Sequence, residues 1–151
     1  MATHTKHLID LWRESRTRME LFLPHLSAQD LSKKLSPSPN SIGFLLRHIA
    51  EVELLFAKNV FGSKDTKIIA KTVISKQDTG EWTNLEEILE LLERSRKELQ
   101  SIINQQTDED WQTKIETTEF GIKTKAEALG RIVSHTAYHA GQIGIINKYG
   151  S

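Results

Sequence analysis

The last long segment of the chain, TKAEALGRIVSHTAYHAGQIGIINKYG (residues 124–150), decides the fold. Thr124 followed by Glu127 forms a capping-box pattern that starts a helix, and the glycine at the end of the segment stops it. Because an α-helix turns once every 3.6 residues, His135 and His139 lie one turn apart on the same face. Such a pair is the geometry from which metal sites are commonly built.

This final helix is predicted to run to about Lys148, and it carries no Asp, Glu, Lys or Arg from Ile132 to Asn147. We therefore expect it to be the central helix, surrounded by protein on most sides. A stripe of small residues lies nearly opposite the histidine face. The stripe comprises Gly130, Ser134, Ala137, Gly141 and Gly144. Glycine costs helix stability, so the stripe predicts close approach of a neighbouring backbone, within the bundle or, as the alternative, across a two-fold dimer interface.

Three further amphipathic helices are predicted upstream, because their apolar residues recur at helical spacing between polar ones. The first spans about Thr5–Leu23, the second begins at Asn40 or Ser41 and ends near Phe61, and the third follows a Thr83–Glu86 capping box and ends near Asn104.

The connections between these helices carry proline, glycine and polar residues. The first holds a short helical turn at Ala28–Leu31, residues 63–82 form a long loop, and the connection around Trp111 holds a short turn or a brief extended pair. Four helices of about twenty residues with no convincing strand predict an all-α four-helix bundle. Long connections flank its third helix, and residues 1–151 form a single domain.

Composition excludes several classes of function. Twenty basic and twenty acidic residues cancel, so the chain has no electrostatic footprint for nucleic acid or an anionic membrane. There is no cysteine, so any metal must be held by nitrogen and oxygen ligands. The N-terminus lacks the apolar stretch of a signal peptide and no run is long enough to cross a bilayer, which predicts a cytoplasmic protein.

His48, in the segment LLRHIAEVE, is the candidate for a third ligand. It lies in an otherwise apolar stripe with Leu45, Val52 and Leu55, so it is expected to point inward. Three neutral imidazoles from two helices can hold a divalent metal and leave a position open for water or substrate. A hydrogen-bonded core histidine is the alternative for His48 alone, whereas an inward pair without metal would leave ring nitrogens without partners.

Five neighbouring residues are candidates for supporting roles. Glu51 and Gln142 are candidates to orient an imidazole, with a solvated charge and a packed polar side chain as the alternatives. Tyr138 either aims its hydroxyl at the open site or packs in the core. Arg47 and Arg131 adjoin the ligand segments and either bind an anionic substrate or are surface residues. No catalytic residue is assigned from the sequence.

The two histidine-bearing segments resemble those of the DinB-like superfamily of four-helix metalloproteins. SIGFLLRHIAEVELLFAKNVFG is similar to the family's second-helix segment, and HTAYHAGQIGIINKYG is similar to its last-helix segment. The family carries one histidine on the second helix and an H-x-x-x-H pair on the last, which places its metal ligands at His48, His135 and His139. The resemblance implies an up-down-down-up bundle, often a homodimer, that holds one divalent transition metal such as nickel or zinc.

The resemblance also implies a reaction class, because some relatives look like S-transferases or isomerases that use a small thiol such as bacillithiol or mycothiol. We therefore expect a metal-dependent enzyme that activates a small thiol for transfer to an electrophilic small-molecule substrate. A hydrolase that uses metal-bound hydroxide, with Glu51 as the candidate base, is the nearest alternative. A non-enzymatic metal-binding or stress-response module is the second alternative.

Overall fold

Four long helices contain most of the chain. The computed structural model describes residues 2–151, and its helices are α1 (Thr3–Glu20), α2 (Ile42–Asn59), the five-residue α3 (Lys71–Ser75), α4 (Leu85–Asn104) and α5 (Lys125–Tyr149). A two-stranded antiparallel hairpin, β1 (Lys114–Thr117) and β2 (Gly121–Thr124), precedes α5. The predicted all-α class is confirmed, and the long connections flank α4, the third of the four long helices.

The helix starts follow the capping rules. The Ser41 hydroxyl accepts a hydrogen bond from the amide of Phe44 at 3.2 Å, and α5 begins with the predicted Thr124–Glu127 capping box. The predicted capping box at Thr83 is wrong. Asn84 caps α4 instead, because its side-chain oxygen accepts from the amide of Glu87 at 3.1 Å and starts the helix one residue later.

Helix α2 is the central helix of the bundle. Of its 18 residues, 12 are buried, whereas α5 buries 7 of 25. Helix α2 packs against both α4 and α5, and α1 packs mainly against α5. Two apolar clusters fill the interior, one around Leu46 and Ile143 and the other around Trp12 and Ile132. The up-down-down-up order of the helices stays a prediction.

The expectation that α5 is surrounded by protein is wrong. Tyr138, Ile145 and Tyr149 are exposed on it, and a Cβ atom added at Gly130 or Gly141 would meet nothing within 4 Å. Close packing of the small-residue stripe within the bundle is therefore also wrong for these two glycines. At the far end of the stripe, a Cβ added at Gly144 would lie 3.1 Å from the ring of Phe22. The uncharged part of α5, residues 132–147, thus has a solvent-facing surface that includes Tyr138 and Gly141.

The connections contain more structure than expected. The predicted turn at Ala28 is a 3₁₀ helix, Ala28–Ser32, and a second 3₁₀ helix, Leu23–His25, follows α1. The predicted loop at residues 63–82 contains α3, and its end lies against the first turn of α2. A Cβ at Gly43 would lie only 1.9 Å from the carbonyl oxygen of Trp82, so only glycine permits this approach.

None of the helices within residues 2–151 combines the length and the apolar content that a membrane span requires.

Candidate metal centre

Helices α2 and α5 bring the three predicted histidines together. The Nε2 atom of His135 lies 3.1 Å from that of His48 and 3.2 Å from that of His139. All three side chains are partly buried, and one ring nitrogen from each lies within 4.8 Å of the other two. The i, i+4 spacing on α5 aligns two of the rings, and the packing of α2 against α5 supplies the third.

The spacing of these nitrogens fits a single bound ion. Two nitrogens that bind one ion at about 2.1 Å, with an angle of about 100° between the bonds, lie about 3.2 Å apart. Three histidines within residues 2–151 are therefore positioned to hold a metal ion.

The hydrogen bond on His139 fixes its tautomer. The Nδ1 atom lies 2.6 Å from Oε1 of Gln142, and an amide oxygen only accepts hydrogen bonds. Nδ1 of His139 therefore carries the proton and donates it to Gln142. The Nε2 atom of His139 keeps a lone pair, which points at His135.

The hydrogen bonds on His48 lead to the same result. The Thr72 hydroxyl donates its proton to Oε2 of Glu51, so it can only accept from Nδ1 of His48, 3.0 Å away. His48 consequently also presents a lone pair at Nε2. Two lone pairs then face Nε2 of His135, and a proton on that nitrogen can satisfy only one of them. A cation can bind all three nitrogens, so the donor set fits a divalent ion.

Burial favours the neutral form of these imidazoles. Desolvation, assisted by the neighbouring His139, lowers the pKa of His48 to about 4 and that of His135 to about 3. Desolvation also lowers the pKa of His139, while the hydrogen bond that its Nδ1–H donates to Gln142 opposes this shift. Neutral imidazole is the form that binds metal, so the site is ready for an ion at neutral pH.

Two of the candidate supporting residues lie behind His48. Glu51 is fully buried, so the alternative of a solvated charge is wrong. Its Oε1 atom accepts from Nε of Arg47 at 2.8 Å, and Oε2 accepts from Thr72. Arg47 is likewise buried, and its guanidinium stacks on the Trp82 ring and reaches Glu87. Arg47 is therefore already paired with carboxylates of the protein, and an anionic substrate would have to displace Glu51 to bind it.

The other two candidates face solvent near the histidines. Tyr138 is 67% exposed, so the alternative of a core tyrosine is wrong, and its ring packs edge-on against His139. The exposed Arg131 guanidinium lies 4.5 Å from the centre of the Phe120 ring. Both side chains line a cavity beside the histidines.

This cavity has a volume of about 780 Å³, and His48 and His135 form part of its wall. Helix α2 contributes a mostly apolar wall that includes Val52 and Phe56, and the turn of the hairpin closes another side with Phe120. The ring of Phe56 stacks on Phe120 at 5.8 Å, which holds the hairpin against α2. The cavity is large enough for a small organic molecule next to the metal ligands.

Sequence reasoning missed Thr72 and the hairpin as parts of this region. Thr72 lies between two short apolar pairs, Ile68–Ile69 and Val73–Ile74, in a segment predicted to be a loop, and no spacing links it to a histidine 24 residues away. The hairpin is the brief extended pair that the sequence predicts as one alternative, but the threonines and glutamates before Phe120 do not indicate that this turn lies beside the histidines. A weak signal was Gly121, which adopts a positive φ of 73° at the start of β2.

These features define the class of protein: an all-α bundle in which one histidine of a central helix meets a pair from the last helix beside an open cavity. The family model of the DinB superfamily matches residues 6–143, and the chain therefore belongs to the DinB superfamily. No protein among those of curated function is significantly similar to it in sequence.

Proposed function

We propose that the protein is a metal-dependent enzyme that activates a small thiol and transfers it to an electrophile. One observation carries the proposal: the Nε2 atoms of three histidines converge beside a cavity that His48 and His135 line, and the cluster formed by residues 2–151 has no fourth protein ligand. Nickel and zinc suit such a nitrogen donor set. A cytoplasmic location, where small thiols are kept reduced, belongs to the same proposal.

A divalent ion in this site would lower the pKa of a thiol entering its open position, so that thiolate is available near neutral pH. His48 and His135 would hold the ion, and because both line the cavity, a thiol at this site would have access to a substrate bound there. In the transfer, the sulfur forms a bond to an electrophilic carbon, the leaving group departs with its bonding pair, and the thiol proton passes to water. The protein itself needs no cysteine.

The cavity walls favour an electrophile with an apolar body. Val52, Leu55, Phe56 and Phe120 form the apolar part of its wall, which would lie against an apolar substrate. Arg131 lies on the wall together with the acidic residues Glu116 and Glu119, and its guanidinium offers a partner for a polar or anionic end of the substrate.

The hydrolase alternative with Glu51 as base has weaker support. Both carboxylate oxygens are engaged, by Arg47 and by Thr72, and the side chain is absent from the cavity wall. A general base must reach a water molecule at the reacting centre, and His48 lies between Glu51 and that position.

The first experiment is elemental analysis of tag-free protein purified without chelator or added metal. We expect about one equivalent of nickel or zinc per chain, lost in His135→Ala and retained in the control His7→Ala, which removes an exposed histidine of α1. The metal-loaded protein is then screened with small thiols against apolar electrophiles, and the product is identified by mass. Turnover equal to that of His135→Ala would remove the enzyme proposal and favour a non-enzymatic metal-binding module.

A further inference from the structure

We propose that Thr72 is a positioning residue that, together with Glu51, fixes the ring tautomer and the orientation of His48. The inference rests on the metal site of the proposed function. It assigns a role to α3, a five-residue helix that contributes no metal ligand.

The contacts around Thr72 form one directed chain of hydrogen bonds. The amide of Thr72 donates to Oε2 of Glu51 at 2.9 Å, and its hydroxyl donates to the same oxygen. Nδ1 of His48 lies 3.0 Å from that hydroxyl oxygen. Arg47 holds the other carboxylate oxygen at 2.8 Å, so the carboxylate is itself fixed. Thr72 and Glu51 are both almost completely buried, so water does not compete for these bonds.

The direction of this chain determines which nitrogen of His48 faces the metal. Because the hydroxyl proton is committed to Glu51, the oxygen of Thr72 can only accept, and Nδ1 must carry the imidazole proton. The lone pair is then forced onto Nε2, the atom that meets His135. The carboxylate at the far end also increases the basicity of the imidazole, which strengthens it as a ligand.

His139 receives the same orientation by a different route. Gln142, on the same helix, accepts directly from Nδ1 at 2.6 Å. His48 has no such neighbour on its own helix, because Glu51 is turned toward Arg47 and Thr72. Thr72 therefore links His48, the proposed metal ligand on α2, to the carboxylate of Glu51 on the same helix.

The first test reads the tautomer in metal-free protein by long-range ¹H–¹⁵N NMR of the His48 ring. We expect the Nδ1–H form in the wild type and in Thr72→Ser, which keeps the hydroxyl. Thr72→Val keeps the shape without the hydroxyl and is expected to give a mixture of tautomers. A pure Nδ1–H form in Thr72→Val would overturn the inference.

The second test measures zinc affinity by competition with a chromophoric chelator. We expect Thr72→Val to bind zinc about 10- to 100-fold more weakly and Thr72→Ser to recover most of the loss. Thr66→Val is the matched control, because it removes a buried hydroxyl that contacts Ser63 rather than a histidine. Wild-type affinity in Thr72→Val would also overturn the inference.

Glu51→Leu tests the other end of the chain if circular dichroism shows that Thr72→Val does not fold. Without an acceptor at this position, the Thr72 hydroxyl is free to donate to Nδ1, and we expect the proton of His48 to move to Nε2. An unchanged Nδ1–H form would count against the inference. If the wild type binds neither zinc nor nickel, the proposed function fails, while the tautomer measurement still decides the role of Thr72.

Discussion

Burial of the three imidazoles couples the stability of the metal-free protein to pH. The pKa of His48 is about 4 in the folded protein against 6.5 for an ordinary histidine, and that of His135 is about 3. As the pH falls below about 6.5, the unfolded chain therefore binds more protons than the folded protein. The free energy of unfolding is highest above about pH 6.5 and falls toward pH 4.

We expect this fall to amount to a few kcal/mol, since one pKa unit corresponds to about 1.4 kcal/mol and partial exposure of the rings reduces the effect. Urea unfolding at a series of pH values between 7 and 4, with chelator present, measures it. His135→Gln removes one titrating ring and should give a shallower dependence. Equal slopes for the two proteins would contradict the assignment to this cluster.

At the scale of single residues, the sequence predicted what spacing can reveal. The positions of His135 and His139 follow from the helical repeat alone, and the inward direction of His48 follows from its apolar neighbours. The burial of Arg47 and the contact between Thr72 and His48 depend on tertiary packing. No sequence periodicity reports a contact of that kind, so the network behind His48 could not be predicted.

A buried ion pair joins three of the long helices. Arg16 of α1 donates to Glu53 of α2 through Nη1, and to the backbone oxygen of Leu92 on α4 at 3.4 Å. Glu53 also accepts from Nε1 of Trp12 at 3.1 Å and from the hydroxyl of Ser95 at 3.3 Å. Burial raises the pKa of Glu53, while Arg16 opposes that rise and favours the carboxylate.

We expect Arg16→Met to lower the free energy of unfolding by about 3 to 5 kcal/mol, because it leaves Glu53 buried without its counter-charge. Chemical denaturation measures the change. The control Arg13→Met removes an exposed arginine of the same helix, 3.8 Å from Asp10, and should change stability by less than about 0.5 kcal/mol. Adding Glu53→Gln to Arg16→Met should recover part of the lost stability. If Arg16→Met lowers the free energy of unfolding no more than Arg13→Met does, the ion pair has no important role in stability.

At the scale of helices, the sequence predicted where the helices lie in the chain better than how deeply each of them is buried. Periodicity placed all four long helices, because each keeps an apolar face toward the core. Cap geometry moved the start of α4 by one residue, since Asn84 competes with Thr83 for the same role. Absence of charge does not distinguish burial from exposure in α5, because uncharged small and aromatic side chains also face solvent.

For the whole molecule, we expect the fold to survive removal of the metal. Two apolar clusters fill the bundle without it, and the histidines lie at the edge of a cavity rather than inside a cluster. Excess metal at about 100 times its dissociation constant stabilises a folded protein by about 2.7 kcal/mol, which corresponds to a Tm increase of about 5 to 10 °C at this size. Thermal unfolding with chelator and with added zinc measures it. Loss of the helical signal on chelation alone would instead indicate a structural metal.

The homodimer implied by the family resemblance stays a prediction, and α5 offers a surface on which to test it. Its solvent face combines Gly141 with the exposed Ile145 and Tyr149, and small residues permit close approach of two helices across a two-fold axis. We expect Ile145→Lys to convert a dimer to a monomer in sedimentation velocity measurements. Ile69→Lys is the control on another exposed isoleucine. The same mass for the wild type and Ile145→Lys would exclude this interface.

The hairpin has a further consequence, because it contributes a cavity wall without contributing a metal ligand. A hairpin of different length or composition between residues 114 and 124 would reshape the cavity and leave the three histidines on their helices. The segment around α3 does not offer the same freedom, since Thr72 lies on it and contacts His48. Changing which small molecules the cavity can bind can therefore begin with substitution of the hairpin by other loops, while residues 63–82 are kept unchanged.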